Sequence, residues 1–126
     1  MRKIIIGTLF ALVSVQAVAD EVIPVWKAEQ DLRDRMESVL IINEGIKDAR
    51  IMALQVVSKM TSDINYIIGD GLNNGASCEV IAAYIGKSGR DAIMARAKSE
   101  AGREAGERLN SAEIVYTMAK CYQIKG

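Results

Sequence analysis

Residues 32 to 67 carry a stripe in alternating steps of four and three: Leu32, Met36, Val39, Asn43, Ile46, Arg50, Ala53, Val57, Met60, Ile64 and Ile67. That spacing is one face of an α-helix held in heptad register over five repeats, and it excludes the two-residue alternation of a half-buried strand. Asn43 and Arg50 interrupt the stripe, while Leu40, Ile41, Ile42, Leu54, Val56 and Ile68 widen it. A narrow seam would dimerise as a coiled coil. A stripe this broad suits the core face of an intramolecular bundle better. Trp26, Leu32, Met36, Val39, Ile46, Val57, Met60, Ile64 and Ile67 are therefore the expected packing or interaction stripe, with a homodimer as the coiled-coil variant.

One straight helix from Trp26 to Ile68 would be about 64 Å long. A single domain of this size has a radius of gyration near 13 Å, so the sequence predicts a kink or an elongated molecule. Gly45 is the weak point, because glycine favours the position just past a helix C-terminus. Pro24 sits where the helix could begin, after a short extended lead-in.

Ahead of that segment stands an export leader. Arg2 and Lys3 are followed by an uncharged run from Ile4 to Ala19, with Ala17 and Ala19 at the small-residue positions of a signal-peptidase site. Cleavage is expected between Ala19 and Asp20, with residues 1–19 as leader and 20–126 as one helical domain. The uncharged run is shorter than the roughly 20 residues a spanning helix needs. No stable membrane insertion is expected after cleavage, and the location is periplasmic or secreted. The chain has 16 basic and 16 acidic residues. Arg2 and Lys3 leave with the leader, so 14 remain against 16 and the mature charge is −2. Basic residues are interleaved with acids, which argues against nucleic-acid binding.

Further along, Gly69 to Gly75 read as a loop, and Ser77 caps a helix with Glu79 in its first turn. Val80, Ile81, Tyr84 and Ile85 form its expected apolar face. Gly86-Lys87-Ser88-Gly89 is expected to break it. A charged, Ala-rich helix follows from Arg90 to about Arg108, and Asn110 or Ser111 caps a last helix lined by Ile114, Val115, Met118, Cys121 and Tyr122. The fold class is all-α: a small bundle with a long N-terminal heptad-patterned helix, or a kinked helix pair, and one disulfide.

Cys78 and Cys121 are the two cysteines, and an even count in an exported chain implies a bridge. Closing that loop should stabilise the fold by up to about 4 kcal/mol on the chain-entropy model. A straight helix from 78 to 108 would carry the chain too far for Cys121 to return, so the bridge requires a turn, expected between Gly86 and Gly89.

The chain has no histidine, which removes His-based acid–base catalysis, Ser-His and Cys-His nucleophiles and nearly all zinc sites. Acids alternate with bases on what read as solvated helix faces. Gly86-Lys87-Ser88-Gly89 lacks the spacing of a phosphate loop, and Asp63, Asp70 and Asn73 lack that of a calcium loop. No catalytic residue, metal ligand or cofactor is nominated, and the chain is not read as an enzyme. Gly102 and Gly106, beside Ala97, Ala101 and Ala105, point to close helix–helix contact.

The layout resembles small helical periplasmic proteins with one disulfide, among them amidase-immunity proteins of contact-dependent secretion systems and acid-stress chaperones. The resemblance is one of composition and assigns no residue a role. It implies a non-catalytic protein that binds another protein, of the inhibitor or immunity type. The alternatives are an elongated accessory subunit of a secretion, conjugation or pilus apparatus, and a phage-type periplasmic lysis regulator.

Overall fold

Pro24, at φ −60° and ψ 142°, stands at the start of helix α1 (Val25–Glu44), and its carbonyl accepts from the N–H groups of Lys27 and Ala28. A proline here loses nothing, since the first N–H groups of a helix have no internal partner. The computed structural model describes residues 23–126; the expected leader and the Ala19–Asp20 junction lie outside the described residues. α1 ends at Gly45, which adopts the left-handed conformation at φ 67°. The N–H groups of Gly45 and Ile46 turn back to the carbonyls of Ile41 and Leu40, satisfying two end groups. The long heptad segment is thus two helices. After residues 45–48 the chain reverses into α2 (Ala49–Asn73), and Arg50 reaches back to Glu37 at 3.7 Å.

Ser77 caps α3 (Cys78–Arg96), its Oγ accepting from the Val80 N–H at 3.2 Å, with Glu79 in the first turn. Ser99 does the same for α4 (Glu100–Lys125), accepting from the Gly102 N–H at 3.0 Å. Among the described residues there are four helices and no strand. They form an antiparallel ring in which α4 packs extensively on both α1 and α3, while α2 and α3 touch sparsely. Leu32, Val57, Ile68, Leu109, Tyr116 and Met118 fill the centre.

The stripe is consumed within this core. Leu32, Met36, Asn43, Ala53, Val57 and Ile64 are buried, Val39, Ile46, Met60 and Ile67 are half-buried, and Arg50 is exposed. Trp26 departs from expectation: it is 67 % exposed. The inward line runs from Leu32 through Ala28 to Val25, and Trp26, one residue on, is rotated about 100° away from it.

Two glycine-rich segments also differ from expectation. Gly69 and Gly71 lie inside α2, and Gly86 and Gly89 lie inside an unbroken α3. A Cβ at Gly71 would come within 2.8 Å of the Ile81 side chain, and one at Gly86 within 2.8 Å of Ile114 Cδ1. Gly71, Gly86 and Gly89 let side chains of a neighbouring helix come close, Gly69 has open space beside it, and none of the four turns the chain. The required reversal occurs instead at 97–99, and Asn110 and Ser111 lie within α4. Cys78 and Cys121 meet across the α3–α4 hairpin, bridged with their Cα atoms 5.8 Å apart. Val80 and Tyr84, expected on the apolar inner face of α3, are exposed at 59 % and 60 %, and Ala101 is exposed on α4.

Candidate functional site

The sparse contact between α2 and α3 leaves a seam, and its two ends differ. Near the 74–77 connection Ile81 packs over Gly71 and closes it. Beside this closure Tyr66 (77 % exposed), Val80 and Tyr84 stand around a shallow groove that also contains Ile67 and Ala76. Towards the other end the helices diverge and open a cleft of about 400 Å³. Met36, Val39 and Leu40 of α1 and Met52, Val56 and Met60 of α2 line one side; Gly89, Ala92 and Ile93 of α3 line the other. Leu109 and Glu113 of α4 lie across the bottom. At the rim Arg96 bonds to Glu44 at 2.9 Å and joins the C-terminal ends of α3 and α1.

Glu113 is the unusual group. It is 6 % exposed, and its Oε1 has no hydrogen-bond partner. Burial alone pushes its carboxyl up from 4.5 to about 7, because no cation offsets the loss of water around the charged form. Gly89 creates the space it occupies. A Cβ there would overlap Glu113 Oε1 and lie 3.0 Å from Asn110 Oδ1, a second buried oxygen without a partner. Asn43 is the third such group: it lines the cleft and lies over Gly102, where a Cβ would collide with its Oδ1.

The closed end is fully bonded by comparison. Tyr116 donates to Asn65 Oδ1 at 3.0 Å across the bundle, and Tyr122 donates to Glu79 Oε2 beside the disulfide. Burial raises the Tyr116 pKa; the Asn65 bond works against that rise and Glu29 adds to it. The stripe residues Met36, Val39, Ile46 and Met60 all line the cleft, whereas Trp26 lies apart in a groove between α1 and α2 with Arg50 and Leu54.

Sequence reasoning assigned the acids to solvated faces and so missed Glu113. The available signal was its place in α4, four residues after Leu109 and three before Tyr116, both core residues. Among the described residues no group of three or more His, Cys, Asp or Glu is placed to hold a metal ion, and no helix is long and apolar enough to cross a membrane. No protein-family model matches the chain, and neither any curated protein nor any solved structure matches it.

Proposed function

We propose that this chain is an exported, non-catalytic helical protein that binds another protein, of the inhibitor or immunity type, through the α2–α3 seam. The observation that carries this reading is the exposed apolar surface there: Tyr66, Val80 and Tyr84 project around a shallow groove that also contains Ile67 and Ala76. Tyrosine is enriched at protein interfaces, and contiguous apolar surface on a small domain marks a contact site. The Cys78–Cys121 bridge supports an oxidising, extracytoplasmic location. An elongated apparatus subunit drew its support from one long helix, and the reversal after Gly45 removes that support. The lysis-regulator alternative turns on the leader, outside the described residues.

Site-specific photo-crosslinking in cells exporting the chain tests the reading. A crosslinker replacing Tyr84 should yield one defined heterologous adduct, and one replacing Ser38, exposed on α1, should not. Adding Tyr66→Ala to the Tyr84 probe should reduce the adduct severalfold. Equal adducts from both positions, or none, would reject the seam. An adduct of the chain with itself would point to the homodimer instead.

A further inference from the structure

We propose that the cleft between α2 and α3 is a binding site for a small amphiphilic amine, whose ammonium pairs with Glu113 while its hydrocarbon part lies against Met36, Met52 and Met60. This inference is independent of the protein-partner reading. A cleft of about 400 Å³ lies in the range that holds small organic ligands, and methionines adapt their shape to a flexible chain. What selects an amine is the bottom of the cleft. Glu113 lines it beside Gly89 with its Oε1 lacking a donor, while Asn110, whose Oδ1 also lacks one, is not part of the lining. A buried carboxylate that lines an apolar cleft and lacks a donor calls for a group that carries N–H donors and a positive charge.

The surroundings sharpen the choice. α2 contributes no charged side chain to the cleft, and α4 contributes Glu113 alone. From α1 and α3 come Glu44 and Arg96, which are bonded to each other at the rim. No cation within the cleft therefore competes for Glu113. A carboxylate ligand would meet like charge, and a neutral alcohol would leave the acid without a counter-charge. Binding of an ammonium to the ionised carboxyl should also expel the proton that Glu113 partly holds near neutral pH.

Calorimetric titration of the oxidised protein at pH 7 with n-octylammonium, n-octanol and n-octanoate tests this, using Glu113→Gln and the exposed-site control Glu104→Gln. Octylammonium should bind saturably, one per chain, and more tightly than the other two. Glu113→Gln should weaken it by at least about tenfold without weakening octanol, and Glu104→Gln should change nothing. Repeating the titration in buffers of different ionisation enthalpy should reveal release of up to about half a proton per ligand. The proposal fails if octylammonium does not saturate, if octanol or octanoate binds as tightly, or if Glu113→Gln leaves its affinity unchanged. Should Glu113→Gln not fold, the wild-type proton release decides, and its absence overturns the proposal.

Discussion

The two ends of this bundle are built from the same residue types and reach opposite outcomes. At the disulfide end Ile81 packs over Gly71, Cys78 is bonded to Cys121, and the polar atoms of Tyr116 and Tyr122 have partners. At the other end α2 and α3 separate, methionines face open space, and Asn43, Asn110 and Glu113 each keep an oxygen without a partner. Glycines are present at both. At Gly71 the missing side chain is filled by an apolar neighbour; at Gly89 and Gly102 it is filled by the tip of a polar side chain. Close helix approach therefore does not by itself produce a finished core. What occupies the space left by the glycine decides whether that part of the fold supports stability or remains available for binding.

The sharpest way to break this contrast is to remove the cross-link. Cys78→Ser with Cys121→Ser should cost about 4 kcal/mol in urea unfolding, while Met52→Ala, 41 % exposed at the open end, should cost less than about 1 kcal/mol. Similar losses from the two would show that the ends are equally important to the fold.

A second test uses pH. The folded-state carboxyl of Glu113 is raised, so the folded chain binds more protons than the unfolded one between 4.5 and about 7. Its contribution is fully present below 4.5 and is lost as pH rises through 7, a fall of roughly 3 kcal/mol. Glu113→Gln should flatten that part of the stability–pH curve and make the protein the more stable of the two above pH 8. A curve unchanged by the substitution would mean that the acid is solvated.

The smallest effect separates two glycines. Gly69→Ala meets no atom within 4 Å and should stabilise α2 by up to about 1 kcal/mol. Gly89→Ala should destabilise by about 1 kcal/mol, because the added methyl must displace Glu113 and Asn110 against the same helix-propensity gain. Equal shifts in thermal midpoint would place Gly89 in open space.

Local signals were legible in the sequence where their cause was local. Pro24 before a helix, Ser77 followed by Glu79, and glycine after Glu44 are all statements about backbone groups within a few residues. The pairing of Cys78 with Cys121 was legible from composition, and the need for a reversal between them from length alone. Where that reversal falls was not legible. Glycine serves both a turn and a close contact, and the residues that distinguish these uses at Gly86 and Gly89, Ile114 and Glu113, lie on another helix. The weaker-looking Ala97-Lys98-Ser99 stretch carries the turn through its serine cap. Glu113 was hidden for a related reason: its surroundings come from all four helices, and no single helix pattern contains them.

The position of the cross-link also makes the chain mechanically unequal along its length. Cys78 and Cys121 enclose α3, its connection and nearly all of α4, whereas α1 and α2 lie outside the closed loop. If the chain is drawn lengthwise by its ends, residues 25–77 can be extended fully once their packing yields. Extension then stops at the bridge, because the loop behind it transmits no tension. A sequence separation of 43 shelters roughly 140 Å of contour in this way. A narrow pore threading the oxidised chain would therefore meet two strands at Cys78 instead of one, and reduction of a single bond would separate a chain that passes from one that jams.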